Sequence, residues 1–206
     1  TEYSSGIRES FVKEAANQGI EIVADEAFTA DSNTDFSVQL DKAKDAGAEL
    51  VFLPIYYQEA SVILKQAADK EFAPTFFGCD GMDGILTVEN FDKSLAEGLM
   101  LLTPFSTTEE GSEEFTKSYT DAYGVEPIQF AADSYDAVYA IKAAAEKAGI
   151  TADMSVSDMC DAMETAMTEI TIQGLTGADM SWNANGEPNK APKAAKIVDG
   201  IYEMEK

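Results

Sequence analysis

The sequence predicts an α/β fold, a doubly wound parallel sheet followed by a run of helices, on three observations. Short apolar runs alternate with segments of helical periodicity through the first half of the chain. The links between them are only a few residues long. From about Ser106 onward, helical segments follow one another instead. Repeated strand-helix units with short links argue for parallel strands covered on both faces, since a parallel connection has to cross back over the sheet.

The elements follow in order. Ile7, Phe11, Ala15 and Ala16 recur at helical spacing, and Gly19 closes that helix as a left-handed cap does. Ile20 to Phe28 reads as a strand from its β-rich composition. Phe36, Leu40, Ala43 and Ala46-Gly47 mark a second helix, and Leu50 to Ile55 is a strand apolar on both faces. Ala60, Ile63, Leu64 and Ala67 give the next helix, then Pro74 to Gly78 and Gly98 to Thr103 give two more strands. Helices are expected over Glu113 to Tyr123, Ala131 to Ala148 and Ser155 to Met167, the last opened by a Ser155 cap with Asp158 three residues on. Ile170 to Ile172 is strand-like, Asn185-Gly186 turns a hairpin within Ser181 to Pro188, and Lys196 to Tyr202 reads as one final strand.

Composition removes several function classes. The 206 residues are 45 % hydrophobic and 10 % aromatic, ordinary for a globular chain. Fourteen basic residues against 38 acidic ones leave a net charge of −24, which repels phosphate backbones and anionic lipid. Nucleic acid is therefore not an expected partner. The chain has no histidine, so Ser-His-Asp and Cys-His catalysis, His-ligated zinc and imidazole acid-base chemistry are all absent. Cys79 and Cys160 form no CxxC motif and read as buried or incidental thiols. No cofactor, no metal and no enzymatic activity are expected. No apolar run approaches the roughly 18 residues of a membrane span. Thr1-Glu2-Tyr3-Ser4 does not resemble a signal peptide, so any export signal or anchor is expected outside this sequence.

In a doubly wound sheet, ligands bind beyond the carboxyl ends of the strands. Two such ends carry suitable chemistry. Tyr56-Tyr57 follows the Leu50 strand, as an aromatic wall with two hydroxyls or as one core tyrosine and one solvated one. Asp80 follows the Pro74 strand, as a partner for a ligand ammonium or as a helix cap. Asn183 to Gly186 looks like the middle of a calcium loop, but Pro192 stands where the closing glutamate belongs when the loop starts at Ser181. Asp133 and Asp136 form a carboxylate pair of the kind that 38 acidic residues produce by chance.

Several stretches resemble the substrate-binding proteins of branched-chain amino-acid ABC transporters, the Leu/Ile/Val-binding members of the type I periplasmic binding proteins. These are Tyr3-Ser4-Ser5-Gly6 at a helix start, Phe36-Ser37 ahead of Gln39-Leu40, and Val51 to Tyr57 leading into Ile63 to Ala67. Phe77-Gly78-Cys79-Asp80-Gly81, Ala96 to Leu99, Ala132 to Ala137 and the Asn185-Gly186 hairpin continue the series in family order. The resemblance implies a two-lobed clamp that captures an amino acid without chemistry, with an ABC permease as partner and an extracytoplasmic location, periplasmic or as a surface lipoprotein. A ligand-sensing domain of a receptor or regulator with the same fold is the alternative, and a small doubly wound enzyme is the rival from another class.

Carried over onto this sequence, Asp80 and Tyr56 hold the ammonium, Tyr3 contacts the ligand, and Phe130 is an apolar contact from the other lobe. Many family members have glutamate where Asp80 stands. By the same resemblance, residues 1–105 form the C-terminal lobe, 106–190 the helical part of a truncated N-terminal lobe, and 191–206 a return strand. Family members are much longer, and the strand expected just before Tyr3 would lie between Ile20 to Phe28 and Leu50 to Ile55. A second fragment or another copy is expected to supply it.

Overall fold

The computed structural model describes residues 1–205, which divide into two compact units. The first is Thr1–Thr103 together with the residues from Ala194 onward, and the second is Pro104–Lys193.

The first unit is built on a five-stranded sheet in the order β1-β2-β3-β4-β5. Strands β1 (Leu50–Leu53), β2 (Thr75–Gly78) and β3 (Met100–Leu102) are parallel, and β4 (Ala194–Val198) and β5 (Ile201–Met204) add an antiparallel hairpin beside β3. The single final strand expected over Lys196 to Tyr202 is thus two strands. Asp199 and Gly200 both take positive φ (51° and 75°), the backbone of a tight hairpin turn, and the chain reverses there.

Three helices accompany the sheet: α1 (Glu2–Gln18), α2 (Ser37–Asp45) and α3 (Tyr57–Asp69). Helix α1 ends at Gly19 in the left-handed conformation, and α3 buries the Ala60, Ile63, Leu64 and Ala67 face that its periodicity indicates. That face packs into one core with Phe36 at the start of α2, Leu40 of α2, Met82 and Ile85, Leu99 and Leu101, and Ala195 and Ile197 of β4. Helix α1 buries only Ala15 fully, and Phe11 stacks on Phe52 of β1 at 4.2 Å and 18°.

The strand expected over Ile20 to Phe28 is not formed. A strand exists only by pairing, and this stretch pairs with none of the described strands. Its side chains bind helices instead: Asp25 pairs with Arg8 and Glu26 with Lys42, while Phe28 meets Phe36 edge-on at 5.0 Å. Ile20, Ile22 and Val23 remain exposed.

The second unit contains α4 (Glu113–Tyr123), α5 (Gln129–Ala148) and α6 (Val156–Met167). Ser155 caps α6 by accepting the Asp158 amide, and Gly124 and Gly149 end α4 and α5 in the left-handed conformation. Ala140 and Ala144 of α5 pack with Ala166 of α6 and with Ile170, Ile172 and Met180. The strand-like Ile170 to Ile172 contributes one isolated bridge, Ile172 to Met180, and a second bridge, Trp182 to Pro188, closes the Asn185-Gly186 hairpin.

Leu101 is fully buried in β3, between the parallel and antiparallel parts of the sheet. Leu101→Ala should lower the stability of this unit by about 2–5 kcal/mol, the usual range for a large-to-small core change. Urea denaturation of the full-length protein reads this as a lower midpoint, and an unchanged midpoint would mean that β3 is not the keystone of the core.

Candidate functional site

Parallel strands bring the ends of β1 and β2 to the same side of the sheet. Beyond β1 the chain runs through Pro54 and Ile55 to Tyr56, which sits at the amino end of α3 with an extended backbone (φ −85°, ψ 158°). Beyond β2 it passes Gly78 and Cys79 into a short 3-10 turn, Asp80–Met82, whose first residue is Asp80. The third contributor, Tyr3, is in the first turn of α1, which is held by the Thr1 side chain accepting the Ser4 amide.

These three residues meet. The Tyr3 hydroxyl donates to Asp80 Oδ1 at 2.7 Å and accepts the Gly81 amide N–H at 2.9 Å. Its ring stacks on Tyr56 with centroids 5.0 Å apart and planes 27° apart. Tyr56 is exposed, whereas Tyr3 and Asp80 are half-buried. Burial first, and then the hydrogen bond to Asp80, push the Tyr3 phenol well above its ordinary value. It therefore stays a neutral donor at any physiological pH.

Of the five residues singled out in the sequence, the structure gathers Tyr3, Tyr56 and Asp80. Tyr57 begins α3 and packs against the core of the first unit, with its side chain only half-buried. Phe130 is in the first turn of α5 in the second unit and is exposed. The stacking of Tyr3 on Tyr56 was not visible in the sequence, where the two are far apart. The close approach at Gly81 was missed as well, and its one sequence signal is a glycine directly after the candidate acid.

The other candidates have structural partners. Asp136 is buried and accepts the Leu175 and Thr176 amides at 2.8 Å each and the Thr176 hydroxyl at 2.7 Å, which holds the loop over α5. Asp133 pairs with Lys190 at 2.7 Å. A cavity of about 160 Å³ lies beside them, lined also by Ile172, Met180 and Trp182. Its carboxylates anchor the Thr176 loop and pair with Lys190, whereas the strand-end cluster lies where ligands bind in a doubly wound sheet, which makes it the better candidate. Asn183 Oδ1 accepts the Asn185 and Glu187 amides at 2.9 and 3.0 Å, the bonds of a turn rather than of a calcium loop. Among the described residues, no group of three or more Cys, Asp or Glu side chains is placed to hold a metal.

Tyr56 and Asp80 lie beyond the carboxyl ends of adjacent parallel strands, with Tyr3 of α1 in contact with both. The model of the periplasmic binding protein family matches residues 1–200. The chain belongs to that family. It is 28 % identical over 211 residues to Leu/Ile/Val-binding protein homolog 2 of Brucella abortus (strain 2308), covering 98 % of this chain and 53 % of the relative. The crystal structure of LivJ, the branched-chain amino-acid transporter substrate-binding protein of Streptococcus pneumoniae, in complex with isoleucine superposes with a TM-score of 0.76 at 28 % identity. That match covers 98 % of this chain and 56 % of LivJ. The leucine-binding protein LivK of Thermotoga maritima MSB8 shares the fold, with a TM-score of 0.81 at 24 % identity over 100 % of this chain and 57 % of that one. The chain spans about half the length of the curated relatives it matches.

Cys79, beside Asp80, gives a direct check on this local geometry. Burial, and then the nearby Asp80 charge, push its thiol up to about 11, so it stays protonated at neutral pH, while Cys160 is exposed. The thiolate is the reactive form. A disulfide-exchange reagent at pH 8 should therefore label Cys160 quickly and Cys79 only on unfolding. Rapid labelling of both would show that the Asp80 turn is open to solvent.

Proposed function

We propose that this chain is part of the extracytoplasmic solute-binding component of an ABC importer, which captures an amino acid, branched-chain or similar, and delivers it unchanged to a membrane permease. The observation that carries this reading is the Tyr3-Asp80-Tyr56 cluster at the strand ends, in a chain that belongs to the periplasmic binding protein family. A carboxylate beside the Tyr3 phenol oxygen accepts hydrogen bonds, so it suits the ammonium of an amino acid rather than its carboxylate. Relatives named for leucine, isoleucine and valine support the ligand class. In this reading the first unit is the C-terminal lobe and the second belongs to the N-terminal lobe, with Phe130 as an apolar ligand contact. Among the described residues, no helix is long and apolar enough to cross a membrane, which fits a component whose transport step is performed by another protein.

A thermal-shift screen of the full-length protein against leucine, isoleucine and valine tests this. Ligand at a hundred times its Kd adds about 2.7 kcal/mol of stability. Asp80→Ala should abolish the shift by removing the ammonium's counter-charge. If the shift survives in Asp80→Ala, the ammonium is held elsewhere. If no amino acid shifts the wild type, the ligand class is wrong.

A second part of the proposal concerns the sheet. Strand β1 lies at its edge, and the Thr75 amide donates to Glu49 O at 2.9 Å. Alternate residues of a parallel strand face alternate neighbours, so the backbone groups of Leu50 and Phe52 point to the open edge. That edge has backbone groups free to pair with one further strand, and the family resemblance puts the unpaired Ile20 to Phe28 stretch, with Ile20, Ile22 and Val23 exposed, on the far side of that strand. We infer that another segment of the full-length protein supplies it. Hydrogen exchange would show the Leu50 and Phe52 amides protected in the full-length protein and fast in the isolated 206-residue chain. Equal exchange in both would rule out a strand there.

A further inference from the structure

We propose that Gly81 is a positioning residue of the ligand site, whose missing side chain lets the Tyr3 hydroxyl lock Asp80 in place for an ammonium group. This inference rests on the amino-acid-binding reading above. Gly81 is not there for an unusual backbone. The positive-φ glycines are nine others, and Gly81 is not among them, so its conformation is open to any residue.

What Gly81 provides is space. A Cβ at this position would lie 2.8 Å from the Ile55 carbonyl oxygen, 2.9 Å from the Tyr3 hydroxyl and 3.2 Å from Tyr3 Cε1. The first two distances are shorter than a carbon atom tolerates. The Ile55 carbonyl belongs to the link from β1 to Tyr56, so it cannot yield without displacing the second tyrosine. Tyr3 is the neighbour that can move, and its hydroxyl bridges the Gly81 amide and Asp80 Oδ1.

The bridge also fixes what Tyr3 can offer. Its single proton goes to Asp80 and one lone pair takes the Gly81 amide, so toward a ligand the hydroxyl can only accept. Asp80 and Tyr3 together then select N–H donors. A ligand with the same apolar body and carboxylate but no amine gains nothing from either. Burial and the Asp80 bond hold the Tyr3 phenol protonated, which keeps the bridge intact at neutral pH.

The test uses full-length protein, with leucine and its des-amino analogue 4-methylpentanoate as probes. Wild type should prefer leucine, and Gly81→Ala should cut leucine affinity about ten- to a hundred-fold, the range for a disturbed charge-assisted hydrogen bond, while barely changing the analogue. Tyr3→Phe removes the hydroxyl with no steric demand, so it serves if Gly81→Ala misfolds. It should cause a similar selective loss, and the double variant should be no worse than the poorer single one. Equal losses for both probes, or additive effects, would make Gly81 merely structural and overturn the proposal. A ligand-free arm separates this from failure of the binding reading. Carbon-13 tyrosine NMR should show the Tyr3 phenol ionising well above the ordinary value of about 10 in wild type and falling toward it in Gly81→Ala. An unchanged Tyr3 titration would overturn the positioning role even if no amino acid binds.

Discussion

Leu102 and Ala194 face each other across the antiparallel β3-β4 ladder, so the chain leaves the first unit and re-enters it at neighbouring positions. The entropy of closing so long an excursion grows only logarithmically with its length, and a short ladder with Leu101, Ala195 and Ile197 buried beneath it can hold the two ends together. Both sides of the junction are also pinned by polar contacts. The Thr103 hydroxyl donates to buried Asp83 at 3.2 Å, and the Tyr202 hydroxyl accepts the Gly84 amide at 3.3 Å. Burial, and then the Asp83 charge, push the Tyr202 phenol far above its ordinary value, so it remains neutral inside the core. Because the inserted unit leaves the sheet undisturbed, β1 to β3 keep their carboxyl ends on one side, and Tyr56 and Asp80 are neighbours for that reason.

On the proposed reading, the cluster at those ends would do by local geometry what the overall charge cannot. A net charge of −24 attracts cations from any direction, but at physiological salt such attraction fades over about 8 Å. Selection of an ammonium group has to come from acceptors at hydrogen-bond distance. Asp80 has a short side chain, so its reach is set by the backbone turn and by the Tyr3 hydrogen bond together. The ring of Tyr56 lies against the Tyr3 ring that makes this bond and adds an apolar surface there.

Most elements of the first unit were legible because their signals are local. Helix α3 declares its buried face by spacing, and Gly19 stops α1 where the left-handed conformation is required. The stretch Ile20 to Phe28 shows the limit of such signals, since its composition suits a strand but a strand also needs a neighbour. Asp199-Gly200 is a different failure. The dipeptide is a strong hairpin signal, and the apolar residues around it masked the turn. At the site, Tyr56 and Asp80 were legible as strand ends, and Tyr3 through the family resemblance alone. The Tyr3-Asp80 bond joins residues 77 positions apart, and no spacing rule reaches that far.

Helix α5 poses the same question of missing neighbours in the second unit. Its Ala132, Asp136, Ala140 and Ala144 face is buried, yet Tyr135, Val138, Tyr139 and Ile141 on other faces are exposed. Tyr135 and Tyr139 continue a chain of ring contacts from Phe115, at 5.1 and 4.8 Å, so the outer surface is ordered as well as apolar. A helix that is apolar on nearly all sides belongs between two layers, and one apolar on a single face belongs at the surface. In each unit, then, an element of internal type stands at the periphery: a β1 strand apolar on both faces, and an α5 helix with two apolar faces. Each of these elements has a sequence suited to contact on both sides, whereas among the described residues β1 pairs along one edge and α5 buries one face within its own unit.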